Sequence, residues 1–90
     1  MKAVKLLIHG KVQGVGYRRW FEKEAIALDL KGYVMNLPTG EVEAVILGAE
    51  ADILKIIRHS YVGSLRAQVS RIEQIQLQDF PNYHEFTMIR

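Results

Sequence analysis

Hydrophobic and polar residues alternate in five segments of this 90-residue chain. In two other segments hydrophobic residues recur every three or four positions, the spacing of a helix. In the first segment Val4, Leu6 and Ile8 share one side, which is typical of a strand with one buried face. Tyr17 and Phe21 begin an apolar stripe with the period of a helix. The spacing predicts strands over residues 3–11, 33–37, 41–47, 68–77 and 84–89, and helices over 19–30 and 50–61.

The predicted order of elements is β-α-β-β-α-β followed by a short terminal strand. Two βαβ halves in this order are typical of the ferredoxin-like α/β sandwich, an α+β fold. We therefore expect one antiparallel sheet with both helices on one face. No linker or low-complexity tract interrupts the pattern, so residues 1–90 are predicted to form a single domain, with a turn at residues 79–83 before the last strand.

Composition narrows the class of protein. A hydrophobic content of 49% and a charged content of 24% are ordinary for a soluble globular domain. The chain has no cysteine, which excludes disulfides, a thiolate nucleophile and thiolate-bound metal. Near the N-terminus the longest apolar run, Leu6-Leu7-Ile8, is too short for a signal peptide or a membrane span. We therefore expect a cytoplasmic protein without membrane contact.

Positive charge is concentrated in the first third of the chain. The net charge of +2 is too small to indicate nucleic-acid binding, but residues 1–31 carry seven Lys or Arg and only three Asp or Glu. Lys11, Arg18, Arg19 and Lys23 surround a glycine-rich stretch. Such asymmetry would draw a small anionic substrate towards that stretch, although a chance scatter of surface charge is an equal alternative.

The glycine-rich stretch, called here the glycine loop, is Gly10-Lys11-Val12-Gln13-Gly14-Val15-Gly16-Tyr17-Arg18. It lies between the first predicted strand and the first predicted helix. Glycines let successive N–H groups face one concavity, the helix dipole adds positive potential, and the arginine fork can bind a phosphate bidentately. The loop matches neither a Walker sequence nor the dinucleotide fingerprint, in which a glycine would replace Arg19. It predicts a phosphoryl cradle; the alternative is a tight turn with a solvated arginine.

Two motifs, taken together, resemble those of acylphosphatases. The family carries Gly-x-Val-Gln-Gly-Val-x-Phe/Tyr-Arg, which the glycine loop matches throughout. The family also carries a second signature, in which Gly-x-Val-x-Asn is followed by a turn and then by Gly-x-Val-Glu. The two parts stand here at Gly32 to Asn36 and at Gly40 to Glu43. The resemblance extends over nearly the whole chain, and it implies an enzyme that hydrolyses small acyl phosphates without cofactor or metal.

The resemblance also implies roles for individual residues. Arg18 corresponds to the family's phosphate-binding arginine, and Asn36 to the asparagine that orients the attacking water. Backbone amides of the loop would complete the substrate-binding cradle: Gln13, Gly14, Val15, Gly16 and Tyr17. Acetyl phosphate, carbamoyl phosphate and a glycolytic acyl phosphate share one phosphoryl head, so the motifs do not choose between them.

The chain departs from the family pattern at four places. Tyr17 stands where phenylalanine is common, and Thr39 replaces a frequent aspartate in the turn. Asp29 stands where a glycine often ends the first helix; if the position is left-handed, aspartate tolerates it at a cost of roughly 1 kcal/mol. Residues 62–65 lack the prolines usual after the second helix.

Other functions remain open at this point. One is a non-catalytic ferredoxin-like module that binds acyl phosphate, carbamoyl phosphate or RNA. Another is a stand-alone relative of the carbamoyl-phosphate-cleaving domain of hydrogenase maturation proteins. Val34 and Met35 stand where an RNA-recognition motif needs a small residue and an aromatic, which disfavours RNA. His9, His59 and His84 are spread over separate elements, so we expect no catalytic histidine. We expect a monomer, because no surplus apolar stripe is evident.

Overall fold

The computed structural model describes residues 1–79 and 82–90 of the chain. The described residues contain all seven predicted elements, with ends shifted by three residues at most. The predicted turn at 79–83 includes residues 80 and 81, which lie outside the described part. The elements are β1 (Lys2–Lys11), α1 (Tyr17–Ala27), β2 (Lys31–Asn36), β3 (Val42–Gly48), α2 (Glu50–Ser60), β4 (Gln68–Gln76) and β5 (Phe86–Ile89).

The strands form one sheet in the order β4-β1-β3-β2-β5. The first four strands pair antiparallel, as predicted. The prediction of a wholly antiparallel sheet is wrong at the edge, because β5 pairs parallel with β2, from Gly32↔Phe86 to Met35↔Ile89. β2 and β5 both run opposite to β4. A chain that reverses after β4 and reaches the far edge of the sheet must therefore lie parallel to β2.

One face of the sheet carries both helices, and the core lies between the two layers. Alternate residues of the central strands meet the apolar stripes of α1 and α2, which explains why the period-two and helical patterns predicted these elements correctly. No helix in the described part of the chain is long and apolar enough to span a membrane. The largest fully buried apolar side chains belong to Tyr17, Phe21, Leu6, Ile8, Leu30, Ile46, Ile56, Val12, Val34 and Val42.

Helix α1 begins at Tyr17, two residues earlier than the sequence pattern predicts. Gly16 is its N-cap and has a φ of 79°, a left-handed conformation that glycine adopts without strain. Arg18 therefore lies in the first turn of the helix. After the helix, Asp29 has a φ of 58°, the only positive φ of a non-glycine residue in the described part. The position is thus left-handed, and aspartate occupies it with Lys31 Nζ 3.0 Å from its carboxylate.

A β-bulge interrupts the pairing of β1 with β4 near the C-terminal end of β1. The register of β1 against β4 shifts between His9 and Gly10, and Gly10 has a φ of 126°. A Cβ on Gly10 would overlap the backbone of Gln68 on β4. Pairing with β4 continues beyond the bulge to Lys11↔Gln68, after which the chain leaves the sheet in the glycine loop.

Candidate active site

The glycine loop leads directly into the N-terminus of α1. Gly14 and Gly16 have φ values of 75° and 79°, and a Cβ on either residue would meet no atom within 4 Å. The first turn of α1 contains no acidic residue. The first N–H groups of a helix lack internal acceptors, and their dipoles favour an anion. The local structure is therefore suited to hold a negatively charged group.

A cavity of about 190 Å³ lies against this loop. The loop, the first turn of α1, the end of β2 and the end of β5 all contribute to it. Among the described residues that line it, three are arginines and none is an aspartate or a glutamate, so its side chains carry net positive charge. The lining residues are Val12, Gly14, Gly16, Tyr17, Arg18, Arg19, Asn36, Met88 and Arg90.

Arg18 is half-buried and is held by the terminal strand. Its Nη1 donates a hydrogen bond of 2.8 Å to the carbonyl oxygen of Ile89. One turn further along α1, a carboxylate oxygen of Glu22 accepts a bond of 3.1 Å from the backbone N–H of Met88. No carboxylate of the described residues lies within ion-pair distance of Arg18. Its charge is therefore oriented by a neutral carbonyl and is available to a ligand.

Asn36 is the last residue of β2 and lines the same cavity. Its Oδ1 is buried and has no hydrogen-bond partner within the described residues. An unsatisfied buried acceptor costs about 1–3 kcal/mol. Such an atom is stabilised when a molecule in the cavity donates a hydrogen bond to it. The structure thus brings Arg18 and Asn36, the two residues singled out in the sequence, to the lining of one cavity.

Two residues of the predicted cradle do not line the cavity. Gln13 instead joins the loop to the β2–β3 turn, because its Nε2 donates to the carbonyl oxygens of Leu37 at 2.8 Å and Glu41 at 3.0 Å. Val15 packs partly buried against the core, and its carbonyl accepts a bond of 2.9 Å from Ser64 Oγ. These residues brace the loop from both sides.

The side chain of Tyr17 holds the two helices together. It is buried, and its hydroxyl donates a 2.8 Å hydrogen bond to the carbonyl oxygen of Ser60 at the end of α2. Burial raises the pKa of Tyr17 well above its ordinary value of 10.0, so the hydroxyl stays neutral. The exchange of the family's common phenylalanine for tyrosine therefore adds a buried hydrogen bond rather than a titrating group.

Sequence reasoning placed Arg19 only among the positive charges around the glycine loop and did not predict Arg90 as a residue of the site. Arg19 follows Arg18 directly, and its position in the first turn of α1 was the available indication. Arg90 comes next to the residue that accepts the hydrogen bond of Arg18, which became visible only once β5 was placed beside β2. Met88, from the same strand, adds an apolar wall.

None of the three histidines lines this cavity. His9 Nε2 is 2.6 Å from a carboxylate oxygen of Glu73, and His59 Nδ1 is 2.9 Å from a carboxylate oxygen of Glu24. His84 is exposed. Within residues 1–79 and 82–90, no three His, Cys, Asp or Glu side chains are grouped as metal ligands would be.

Comparison with known proteins gives the class that this fold and cavity belong to. A family model described as acylphosphatase matches residues 4–88. The chain belongs to the acylphosphatase family. An acylphosphatase of Petrotoga mobilis is 39% identical over 88 residues, which make up 96% of this chain and 96% of that one. An acylphosphatase of Methanocella arvoryzae is 42% identical over 78 residues, 87% of this chain and 89% of the relative.

Solved structures agree with the family assignment. The crystal structure of acylphosphatase from Bacillus subtilis has a TM-score of 0.97 and 28% sequence identity, and the match covers 100% of both chains. The crystal structure of T. kodakarensis HypF has a TM-score of 0.83 and 31% identity, covering 100% of this chain but 12% of that chain. The ferredoxin-like fold is therefore confirmed.

Proposed function

We propose that this enzyme hydrolyses the carboxyl–phosphate bond of small acyl phosphates, releasing a carboxylate and inorganic phosphate. Arg18 and the N–H groups of Gly14, Gly16 and Tyr17, the residues of the predicted cradle that line the cavity, hold the phosphoryl group. Asn36 orients the attacking water. The single observation that carries the proposal is that Arg18 and Asn36 line the same positively charged cavity, while the buried Oδ1 of Asn36 has no hydrogen-bond partner within the described residues.

The reaction needs no group that this cavity lacks. An acyl phosphate loses a carboxylate, whose conjugate acid has a pKa of about 4.3, so it departs without a general acid. Phosphoryl transfer passes through a loose transition state in most analyses, so the water needs little help from a base. What remains is positioning and stabilisation of charge on the phosphoryl oxygens. Arginine, backbone amides and an amide oxygen supply both.

Each step can be assigned to a residue. A water donates one hydrogen bond to Oδ1 of Asn36 and attacks phosphorus opposite the carboxylate. The new P–O bond forms as the bond between phosphorus and the acyl oxygen breaks, and the electron pair leaves with the carboxylate. The proton of the water passes to a phosphate oxygen or to solvent. Arg18, oriented by Ile89, neutralises charge on the equatorial oxygens throughout.

We further infer that catalysis needs no metal ion. Phosphoryl-transfer enzymes that use Mg²⁺ hold it through carboxylates, whereas the lining here is rich in arginine. On this proposal the protein acts as a cytoplasmic monomer on a small-molecule substrate. Nucleic-acid binding is disfavoured because a carboxylate, Glu43, lies at the middle of the sheet face that carries no helix. The hydroxyl of Tyr33 donates a 2.7 Å hydrogen bond to Glu43, and Lys5 Nζ lies 3.2 Å from its carboxylate.

Hydrolysis of benzoyl phosphate in excess chelator tests this function. We expect metal-independent release of phosphate, reduced on the order of 10² to 10³-fold, or about 2.7–4 kcal/mol, in Arg18→Ala and in Asn36→Ala. Lys23→Ala removes a nearby exposed charge and serves as the control. Inhibition by inorganic phosphate separates the phosphate-binding role of Arg18 from the water-orienting role of Asn36. Arg18→Ala should weaken this inhibition strongly, and Asn36→Ala should weaken it only slightly.

The same assay distinguishes an enzyme from a phosphate-binding module. A folded wild-type protein that binds phosphate but releases none from benzoyl or carbamoyl phosphate would establish the non-catalytic alternative. A loss of less than tenfold in Asn36→Ala would remove the water-orienting role from Asn36. Dependence of turnover on added Mg²⁺ after chelation would contradict the metal-independent mechanism.

A further inference from the structure

The terminal strand β5 is short for an element that orients an arginine of the proposed site. It has four residues, lies at the edge of the sheet and pairs with β2. Its Ile89 carbonyl nevertheless accepts the hydrogen bond that orients Arg18. Phe86 anchors the start of the strand, because its ring centroid lies 5.7 Å from that of Phe21 on α1. The end of the strand, where Ile89 lies, needs a second attachment.

The side chain of Glu22 supplies this second attachment. One of its carboxylate oxygens accepts a 3.1 Å hydrogen bond from the N–H of Met88, the residue before Ile89. On the other side of the strand, the carbonyl of Glu85 accepts the N–H of Gly32 on β2. Because backbone groups alternate in direction along a strand, the N–H of Met88 points away from β2, where an edge strand has no further strand to pair with. The Glu22 carboxylate takes the place of that missing strand.

We propose that Glu22 is a positioning residue of the proposed active site. It lies four residues after Arg18 on α1, so the two side chains lie on one face of the helix. From this face Glu22 holds Met88, and Arg18 donates to the carbonyl of the next residue, Ile89. The first bond sets the place of the carbonyl that orients Arg18 towards the phosphoryl group. This inference deepens the proposed function, on whose phosphate site it rests.

The carboxylate of Glu22 acts on phosphate binding in two ways that have opposite signs. Its negative charge lies one helical turn from Arg18 and repels an anion, so removal of the charge alone should strengthen phosphate binding. Its hydrogen bond to Met88 supports binding through Arg18, so removal of the bond should weaken phosphate binding. A substitution of Glu22 that weakens binding therefore cannot act through the loss of charge.

Three substitutions of Glu22 separate the hydrogen bond from the charge. Glu22→Gln removes the charge but keeps an oxygen acceptor at the same reach. Glu22→Met has a similar length and removes both. Glu22→Asp keeps the charge, but its carboxylate is one methylene further from Met88. Glu24→Gln is the matched control, because it removes a carboxylate of the same helix whose partner is His59 rather than β5.

The measured quantities are the dissociation constant of inorganic phosphate, by calorimetry, and the rate of hydrogen exchange at the N–H of Met88. We expect Glu22→Met and Glu22→Asp to weaken phosphate binding about tenfold and to accelerate this exchange. Glu22→Gln and Glu24→Gln should bind phosphate at least as tightly as the wild type, with exchange at Met88 unchanged. In an Arg18→Ala background, Glu22→Met should weaken phosphate binding no further, because the effect acts through Arg18.

Wild-type affinity for phosphate in Glu22→Met or in Glu22→Asp would overturn the positioning role, even if Tm fell. The same conclusion follows if Glu22→Gln or Glu24→Gln loses as much affinity as Glu22→Met, or if the loss persists in full in the Arg18→Ala background. Failure of the wild type to hydrolyse benzoyl phosphate would refute the proposed function but not the positioning role, because phosphate binding is measured directly. A wild-type protein without measurable affinity for phosphate would overturn both.

Discussion

Gln13 connects the two halves of the candidate site, and replacing it by methionine should impair both stability and turnover. The amide nitrogen of Gln13 bonds to the carbonyls of Leu37 and Glu41, so it ties the glycine loop to the turn that follows Asn36. Methionine has nearly the same length and keeps the apolar contacts, but it cannot donate. The substitution therefore removes the two hydrogen bonds and little else.

The expected loss of stability depends on the hydrogen bonds that the carbonyls of Leu37 and Glu41 retain in Gln13→Met. The Leu37 oxygen also accepts the N–H of Gly40 at 3.1 Å, and the Glu41 oxygen accepts the N–H of Leu37 at 2.8 Å. Neither carbonyl is orphaned by Gln13→Met, so no desolvation penalty is added. Two ordinary hydrogen bonds of about 0.5–1.5 kcal/mol each give a loss of about 1–3 kcal/mol. In a domain of this size each kcal/mol lowers Tm by about 4–8 °C.

The effect on catalysis should exceed the effect on phosphate binding. Once the turn is released, Asn36 is less well positioned against the loop, and a displacement of about 1 Å can cost on the order of 10²-fold in rate. We expect kcat to fall about ten- to hundredfold while the inhibition constant of phosphate changes less. Thermal unfolding and steady-state hydrolysis of benzoyl phosphate measure both. Gln74→Met, at an exposed position of β4, is the matched control.

A double-mutant cycle identifies the route of the effect. If Gln13 acts through Asn36, then Gln13→Met should cost little further activity in an Asn36→Ala background. Full additivity would show that Gln13 acts on the cradle alone. The bracing hypothesis is refuted if Gln13→Met lowers Tm as expected yet leaves kcat equal to that of the Gln74→Met control.

Two further substitutions test structural side-chain hydrogen bonds rather than the proposed catalytic groups. Tyr17→Phe removes the buried bond to a carbonyl at the end of α2 and should cost about 1–3 kcal/mol, measured as a lower Tm, with the apolar contacts of the ring retained. The hydrogen bond from Thr39 lowers the pKa of Glu41 in the folded protein. The ionised carboxylate therefore stabilises the fold at pH values above the pKa that Glu41 has in the unfolded chain. This contribution is lost as the pH falls through the lowered pKa of the folded protein. In Thr39→Val the pKa of Glu41 should rise towards its ordinary value, as followed by carboxyl ¹³C titration; an unchanged pKa would contradict the assignment.

The fold could be predicted from the sequence wherever a local pattern determines burial. Alternation at Val4, Leu6 and Ile8 and the helical stripe that includes Phe21 depend only on neighbours in the chain, so they located β1 and α1. The pairing of β5 with β2 depends on the path of the chain after β4. No short-range pattern encodes that path, and a strand of four residues has too few alternating positions to indicate its neighbour.

The residues of the candidate site that lie in local motifs could likewise be predicted from the sequence, whereas those that depend on long-range contacts could not. Arg18 and Asn36 were singled out because each lies in a motif of consecutive residues, and the structure brings both to one cavity. The bonds of Gln13 reach residues 24 and 28 positions away, so its side-chain role could not be inferred from the loop alone. Arg90 is further away still along the chain. Its presence in the cavity depends on the parallel edge pairing that the sequence pattern did not predict.

The bond between Arg18 and Ile89 has a consequence for the time at which the protein becomes active during synthesis. The two residues are 71 positions apart in the chain. At roughly 5–20 residues per second, the ribosome makes the arginine about 4–14 s before the carbonyl that orients it. The pairing of β1 with β4 is similarly non-local, and such topologies close slowly. A nascent chain that carries the complete glycine loop therefore still lacks the carbonyl that orients Arg18, and this orientation is reached only when the last strand has docked.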